Sequence, residues 1–363
     1  MTEQEIIDRV VRFMADAEPS EAGFDDLAME LFAYQFENNP PFRRFSMTRE
    51  RTPRTTKSWR DIPAVPIKAF KDLAMSCCAP GEAARVFMTS GTTKGGVRGK
   101  SYQPTLAVYD ASMTKNFKHR FMPDRDTIRM GILFPAEDTM PNSSLAHYLG
   151  LALRHFGTSN SRYLLHEDGI DFARLFAELE RAGETGEPYA LLGASFSFVH
   201  LMDEMRRIGK SVVLPAGSRI LDTGGFKGQS RMVELDDFYV ELSARFGVKR
   251  SHCINMYGMT ELSTQFYDWG NEACPSVKSG PHWIRSRVIN PLTGRDVPRG
   301  ETGVLVHCDL AHFNIVSTIL TEDAGVETDS GFLLLGRADG ADAKGCSMAV
   351  EEFMKATEGM MAG

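Results

Sequence analysis

The sequence predicts an α/β fold of mixed sheets flanked by helices, with a smaller β-rich part towards the C-terminus. Two patterns lead to this prediction. Between residues 86 and 257, short apolar runs alternate with stretches whose apolar residues recur at helical spacing, which is typical of an α/β sheet. Beyond about residue 280, short apolar runs separated by turn residues predict further strands without intervening helices.

The N-terminal part is predicted to be helical. In residues 4–36, apolar side chains recur at helical spacing on both sides of the Glu18-Pro19-Ser20 break. The segment 39–66 is rich in proline, which predicts extended chain and turns there. We therefore expect residues 1–85 to form a helical segment that packs on the core.

The core is expected at 86–335, with its β-rich part from about 280, and residues 336–363 are expected to form a short tail. Hydrophobic periodicity places each element of the core. Strands are predicted at 86–88, 128–134, 189–192, 218–222, 253–257, 303–307, 317–320 and 331–335. Helices are predicted at 105–115, 144–156, 172–182, 198–208 and 233–246.

Composition narrows the class of partner. The formal net charge of −7 disfavours nucleic acid and anionic membranes as partners. No run approaches the ~20 apolar residues of a membrane span, and the acidic N-terminus lacks the features of a signal peptide. We therefore expect a cytoplasmic protein. Its six cysteines show no metal-ligand spacing and are read as free thiols.

The stretch at 88–96, Met-Thr-Ser-Gly-Thr-Thr-Lys-Gly-Gly, is the main candidate for a phosphate-binding loop. It follows a predicted strand and combines hydroxyl side chains, a lysine and glycines, a composition that can surround a polyphosphate with donors. It is not a Walker A loop, because Gly99-Lys100-Ser101 would require a glycine where Lys94 stands. The alternative is a flexible surface turn.

Further motifs raise the weight of the phosphate-loop interpretation. They are Tyr257-Gly258-Met259-Thr260-Glu261, Thr321-Glu322-Asp323 and Gly336-Arg337. In this order and spacing, the set resembles the adenylate-forming superfamily of acyl-activating enzymes. The resemblance implies the large-domain architecture of those enzymes, with mixed sheets flanked by helices and a small β-rich subdomain. It further implies that the mobile C-terminal domain of their CoA ligases is absent from this chain.

A narrower resemblance rests on additional runs. They are Tyr34-Gln35-Phe36-Glu37-Asn38-Asn39-Pro40-Pro41-Phe42, Ile62-Pro63-Ala64-Val65-Pro66, Asp222-Thr223-Gly224-Gly225-Phe226-Lys227 and Gly345-Cys346-Ser347. With them the chain looks like the acyl-protein synthetase (LuxE-type) family, which is related to phenylacetate–CoA ligases. The likeness extends from about residue 20 to 353.

The resemblance assigns roles to individual residues and implies ATP and Mg²⁺ as cofactors. Glu261 would bind Mg²⁺ and Thr260 would contact the α-phosphate. Asp323 would bind the ribose, and Arg337 would lie near the nucleotide. The β- and γ-phosphates would be held by Thr89, Ser90, Gly91, Thr92 and Thr93, with positive charge from Lys94 or Lys100. Tyr257 would flank the adenine, and Gly258, the next residue, would also contact the nucleotide. Gly224 and Gly225 would let the backbone come close to the base.

Cys346 is the expected acyl acceptor. In the acyl-protein synthetases the matching cysteine takes the acyl group as a thioester. Gly340 and Gly345 predict a mobile, accessible thiol, and Lys344 could favour its thiolate. The alternative is a tail cysteine without a function.

The resulting hypothesis is an ATP-dependent ligase that converts a fatty or other carboxylic acid to acyl-AMP and then to a thioester on Cys346. The acyl group would pass to an acyl-reductase partner, with an acyl-transferase as a further possible partner. The alternatives are transfer to CoA, a carrier-protein thiol or an amine, and a nucleotide-binding scaffold without turnover. Phe196, Phe198, Val199 and Met202 could line the acyl pocket or belong to the core, and His252 is the candidate general base.

Overall fold

The computed structural model describes residues 2–90, 97–226 and 230–360. The α-helices of these residues are α1 (Glu3–Ala15), α2 (Glu21–Asn38), α3 (Pro40–Thr48), α4 (Ala69–Asp72), α5 (Ala107–Arg120), α6 (Ser144–Phe156), α7 (Phe172–Thr185), α8 (Ser195–Arg207), α9 (Leu235–Phe246) and α10 (Gly340–Ala356). None of these helices is both long enough and apolar enough to pass through a lipid bilayer.

The strands of the described residues follow in chain order. They are β1 (Val65–Pro66), β2 (Arg85–Met88), β3 (Lys100–Gln103), β4 (Arg129–Leu133), β5 (Arg162–Tyr163), β6 (Leu165–His166), β7 (Gly169–Ile170), β8 (Tyr189–Ala194), β9 (Arg219–Thr223), β10 (Cys253–Tyr257), β11 (Phe266–Tyr267), β12 (Val277–Lys278), β13 (Ile284–Asn290), β14 (Arg295–Asp296), β15 (Thr302–Asp309), β16 (Thr318–Glu327) and β17 (Phe332–Arg337).

The chain forms two compact units, and they cut across the three segments expected from the sequence. Unit 1 comprises Met1–Ser112, Met259–Thr264 and Ser279–Gly363, and unit 2 comprises Met113–Gly258 and Gln265–Lys278. The short segment Met259–Thr264 therefore belongs to a different unit from the strand that precedes it in the sequence. The motif at 257–261 is divided between the units.

Unit 2 contains a sheet with the strand order β11-β10-β9-β8-β4-β5. Its strands are parallel except for β11, which runs antiparallel to β10. The strands β8 and β9 are buried along their whole length, as expected for a parallel sheet covered by helices. The carboxyl ends of β8, β9 and β10 lie side by side, which is where α/β sheets bind ligands.

Unit 1 contains the antiparallel order β17-β16-β15-β13-β14, to which β1 adds in parallel beside β16. The β15–β16 ladder is irregular at one point. Val304 pairs with Ala324 and Val306 with Leu320, so Leu305 faces three residues of β16. Irregularities of this kind redirect side chains and are frequent near functional sites. Here the irregularity coincides with the motif at 321–323.

The α/β fold with a separate β-rich sheet that the sequence predicts is confirmed, and several elements agree closely. The helix at 144–156 and the strand at 253–257 have the predicted bounds. The expectation of extended chain across 39–66 is wrong for α3. Its two prolines lie in the first turn, where a helix needs no N–H donor, and Asn39 Oδ1 caps it by accepting from the backbone N–H of Phe42 at 3.2 Å.

Candidate active site

The candidate phosphate loop begins and ends in the β2–β3 hairpin of unit 1. The backbone N–H of Thr89 donates to Gly99 O at 3.0 Å, and the N–H of Gly99 donates to Thr89 Oγ1 at 3.0 Å. This reciprocal pair fixes the two ends of the loop against each other. Ser90 follows and is exposed. The candidates Gly91, Thr92, Thr93 and Lys94 lie outside the described residues.

Glu261 lies beside the ends of this loop. A Cβ added to Gly99 would stand 3.2 Å from Thr89 Cγ2 and 3.4 Å from Glu261 Oε1. A side chain at position 99 would therefore crowd the carboxylate. Glu261 is only 7% exposed, and burial raises its pKa to about 7 even though Arg337 and Lys71 favour the charged form. A bound cation would stabilise the ionised form of this carboxyl group and so lower its pKa.

A second buried carboxylate fixes the turn that follows Glu261. Asp309 Oδ2 accepts from the backbone N–H groups of Ser263 (2.9 Å) and Thr264 (2.8 Å), and its Oδ1 accepts from Thr264 Oγ1 (2.7 Å). Burial raises the pKa of Asp309 to about 6. The sequence analysis missed this residue, whose only signal is an acidic side chain at the end of an apolar strand.

Asp323 and Arg337 are paired across β16 and β17. The guanidinium Nε of Arg337 lies 3.5 Å from Asp323 Oδ1, and its Nη1 lies 3.7 Å from Glu322 Oε2. Thr321 Oγ1 accepts from the N–H of Asp323 at 3.1 Å and donates to Leu305 O at 2.8 Å, which fixes the irregular part of β16. The charges of Asp323 and Arg337 both act on the pKa of Glu261.

Unit 2 holds the residues predicted to meet the adenine. Tyr257 ends β10 and is buried beside Phe266, with the ring centroids 5.9 Å apart, and Gly258 follows it. Gly224 and Gly225 follow β9 and are exposed, and Gly224 has a φ of 81°. The Thr223 hydroxyl donates to Met256 O at 2.8 Å and links the ends of β9 and β10.

The structure therefore brings part of the predicted set together in unit 1. It places Thr89, Glu261, Asp323 and Arg337 in that unit, and Thr260 is half-buried next to Glu261 in the chain. Lys100 is exposed at the start of β3. Among the described residues, no group of three or more histidine, cysteine, aspartate or glutamate side chains could hold a metal ion. A single carboxylate is still consistent with Mg²⁺, which commonly binds one or two carboxylates plus substrate phosphates.

Comparison with known families decides the classification. The family model described as "Acyl-protein synthetase, LuxE" matches residues 7–355. The chain belongs to this family. With it, the chain belongs to the adenylate-forming superfamily of ATP-dependent acid ligases.

Two relatives of this LuxE-family protein are bacterial ligases. The "Long-chain-fatty-acid--luciferin-component ligase" of Vibrio harveyi is 22% identical over 336 residues, covering 90% of this chain and 86% of the relative. The protein of the same name from Aliivibrio fischeri is 22% identical over 306 residues, covering 83% of this chain and 78% of the relative.

Solved structures of other adenylate-forming enzymes share the fold. A 2-hydroxyisobutyryl-CoA ligase in complex with 2-HIB-AMP gives a TM-score of 0.62 at 15% identity, over 93% of this chain and 68% of that one. ATP-bound MatB from Rhodopseudomonas palustris gives 0.50 at 17% identity. The match covers 72% of the LuxE-family chain and 49% of MatB, so the chain spans about half the length of that protein.

The expectation of an accessible Cys346 is wrong for this structure. Cys346 lies inside α10, is 3% exposed, and its Sγ donates to Thr321 O at 3.8 Å. It packs with Val306 and Leu320 of the sheet. The glycine before it does not loosen the chain. A Cβ on Gly345 would stand 2.7 Å from Pro291 Cγ, so Gly345 lets the helix pack closely.

The expectation that Lys344 favours the thiolate is also wrong. Burial raises the pKa of Cys346 to about 11, and the charges of Glu322 and Asp342 add to this effect. The cation that acts in the opposite direction is Lys68, whose Nζ lies 2.5 Å from Glu322 Oε1. Lys68, Glu322 and Cys346 line the same narrow cleft.

Two further candidates have structural positions. Phe198, Val199 and Met202 are fully buried in the hydrophobic core of unit 2, which supports their interpretation as core residues, whereas Phe196 is half-buried. His252 is exposed just before β10, and partial burial together with Arg219 lowers its pKa. It therefore lies at the opposite end of the strand from Tyr257, about 16 Å away along the chain.

Proposed function

We propose that this protein activates a fatty or other carboxylic acid as acyl-AMP at the expense of ATP and then forms a thioester on Cys346. The observation that carries the first step is the position of Glu261 beside the Thr89–Gly99 clamp of the candidate phosphate loop. Membership of the LuxE family supports the second step. The relatives named above as fatty-acid ligases support a long-chain acid as substrate.

In the first step, a carboxylate oxygen of the acid attacks the α-phosphorus of ATP. The bond from that phosphorus to the bridging oxygen breaks, and pyrophosphate leaves with the electron pair. Thr89, Ser90 and the following hydroxyls would hold the terminal phosphates, and Thr260 the α-phosphate. Arg337 and either Lys94 or Lys100 would neutralise the negative charge that develops on the phosphates. Asp323 would accept hydrogen bonds from the ribose hydroxyls.

Glu261 fits a magnesium site. Its carboxyl group is buried at the ends of the phosphate loop, and its pKa of about 7 means that a cation would shift it to the ionised form. Bound Mg²⁺ would supply charge neutralisation for the leaving phosphates.

In the second step, the Cys346 sulfur attacks the acyl carbonyl of acyl-AMP. The thiol loses its proton, the bond from the acyl carbon to the phosphate oxygen breaks, and AMP leaves. In the position described above the thiol is 3% exposed, and burial raises its pKa to about 11, which disfavours the thiolate that would attack. The proposal therefore requires α10 to move away from β16 before transfer. Delivery of the acyl group to a reductase partner, with an acyl-transferase as a further partner, would follow.

The test separates the two steps by replacing the thiol. Cys346→Ser is expected to keep acid-dependent exchange between ATP and pyrophosphate and to lose the hydroxylamine-labile acyl-enzyme detected by intact mass. Cys78→Ser is the matched control, because Cys78 is a half-buried thiol of the same unit. It should retain both activities. A thioester that persists in Cys346→Ser would refute the second step alone, whereas wild-type protein without exchange would refute the first.

The burial of Cys346 gives a second candidate function specific support. An acid ligase that passes the acyl group from acyl-AMP to CoA, a carrier-protein thiol or an amine would not need this thiol. Such an enzyme would release acylated acceptor into solution at the same rate in wild type and Cys346→Ser. A screen of acids of different chain length with each acceptor, followed by mass analysis of the products, distinguishes the two functions.

A further inference from the structure

The turn after β9 contains the glycines assigned to the adenine, and these two glycines have no side chain that could fix it. Gly224 and Gly225 are exposed, and a Cβ on either would meet no atom within 4 Å. A backbone φ of 81° at Gly224 is accessible to glycine at little cost. Bonds from neighbouring residues must therefore hold this turn, and among the described residues the Thr223 hydroxyl supplies one to Met256 O of β10.

Ser195 supplies further contacts to the turn from the end of the neighbouring strand β8. It is the first residue of α8, directly after β8, and it is buried. Its Oγ lies 2.7 Å from Asp222 Oδ2, 3.0 Å from Thr223 O and 3.2 Å from Gly224 O. The single proton of this hydroxyl lies among three acceptors, the carboxyl group that ends the strand and two consecutive carbonyls of the turn, so its bonds to the carbonyls are shared with Asp222.

Asp222 anchors this hydroxyl. Its Oδ1 accepts from the Tyr239 hydroxyl of α9 at 2.8 Å, and its Oδ2 accepts from Asn255 Nδ2 of β10 at 3.0 Å. Burial raises the pKa of Asp222, while the hydrogen bonds from Ser195 and Tyr239 act in the opposite direction. The carboxyl group therefore joins α8, α9 and β10 at the carboxyl ends of the parallel strands, where each partner restricts the others.

We propose that Ser195, anchored by Asp222, is a positioning residue that holds the Thr223-Gly224-Gly225 turn in the shape that receives the adenine base. The inference rests on the proposed function, because it needs ATP as ligand. A hydrogen bond to the turn acts on the base end of the nucleotide and not on its phosphates.

The chain offers a matched pair of variants. Ser195→Ala and Tyr239→Phe each remove one buried hydroxyl that donates to Asp222, but only Ser195 also contacts the turn carbonyls. Both should lower the melting temperature to a similar extent. A purely structural role of the carboxyl network would therefore affect ligand binding equally in the two variants.

The measurement is titration calorimetry of the full chain with ATP and, separately, with inorganic tripolyphosphate, which lacks the base. Ser195→Ala is expected to weaken ATP binding about tenfold and to leave tripolyphosphate binding unchanged, whereas Tyr239→Phe should change neither appreciably. Equal ATP affinities of the two variants, or equal losses of ATP and tripolyphosphate binding in Ser195→Ala, would overturn the inference.

A second variant acts on the turn from the solvent side. Gly224→Ala strains a backbone with a φ of 81° without altering the core, and it should show the same selective loss of ATP affinity. This keeps the inference testable if Ser195→Ala does not fold. Wild-type protein that binds tripolyphosphate but not ATP would overturn the inference. Wild-type protein that binds neither would overturn the proposed function as well.

Discussion

Glu261 and Cys346 are both buried ionisable residues of unit 1 with raised pKa values, but the larger contributions of nearby charges to these pKa values differ in sign. Around Glu261, Arg337 and Lys71 favour ionisation against the effect of burial. Around Cys346, the carboxylates Glu322 and Asp342 reinforce burial and keep the thiol neutral. The first site is therefore arranged to become charged when a cation arrives, whereas the second must change its structure before it can react.

The largest effect is expected from Glu261→Gln. The amide keeps the shape of the side chain but cannot ionise, so acid-dependent ATP–pyrophosphate exchange should fall about 10²-fold or more. Glu327→Gln on β16 is the control and should leave exchange unchanged, since Glu327 is paired only with the exposed Arg299 in the described contacts. Exchange that survives in Glu261→Gln would contradict the assigned role.

The stability of the protein without ligand should depend on pH through the same carboxyl group. The pKa of Glu261 is raised from 4.5 to about 7 on folding, so its protonated form is favoured in the folded state. The stabilisation is fully present below pH 4.5 and is lost as pH rises to 7, a change of about 3 kcal/mol. The difference in unfolding free energy between wild type and Glu261→Gln, measured with a chelator from pH 5 to 8, isolates this contribution. A difference that does not vary with pH would refute it.

The comparison also shows which features the sequence could predict. The prediction of the helix at 144–156 from its apolar periodicity is confirmed, and the structure adds a cap in which the Ser143 hydroxyl accepts from the Ala146 N–H at 3.1 Å. The set of motifs was sufficient to identify the family because each motif is a short run of adjacent residues that can be recognised in the sequence. Both kinds of signal depend on residues that are close in the sequence, so they can be recognised without knowing how the chain packs.

The features that were missed depend on contacts between distant segments. Gly345 was taken as a sign of mobility, yet its small size allows α10 to approach Pro291. Asp309 accepts hydrogen bonds from a turn that lies 45 residues earlier, at Thr264. The residues next to Asp309 in the sequence do not indicate this contact. The prolines of α3 were interpreted as breakers because their place in the first helical turn was not recognised.

A smaller effect should follow from Glu322→Gln. This change removes the largest acidic contribution to the raised pKa of Cys346 and releases Lys68, so the pKa of the thiol should fall. Alkylation of Cys346 by iodoacetamide at pH 8, followed by peptide mass analysis, is expected to become about tenfold faster. Asp342→Asn also removes a negative charge but leaves Lys68 paired, and it should accelerate the reaction less. Identical rates in all three proteins would show that access alone limits the thiol.

The smallest effect concerns the docking of α10, which decides how often Cys346 can be exposed. Phe353 of α10 is fully buried against Phe45, with the ring centroids 4.8 Å apart, while the outer contact is an exposed pair in which Arg49 binds both carboxylate oxygens of Glu352 at 2.6 and 2.9 Å. Glu352→Gln keeps the aromatic packing and weakens only the pair.

Since exposed pairs contribute little, the free energy of opening measured by amide hydrogen exchange across α10 should fall by about 0.5 kcal/mol in Glu352→Gln. Glu204→Gln removes a comparable exposed pair with Arg207 on α8 and should not alter exchange in α10. If opening of α10 limits thioester formation, Glu352→Gln should form the acyl-enzyme about twofold faster at an unchanged rate of ATP–pyrophosphate exchange. Faster hydrogen exchange without faster acylation would mean that the thiol is reached by a motion other than release of this helix.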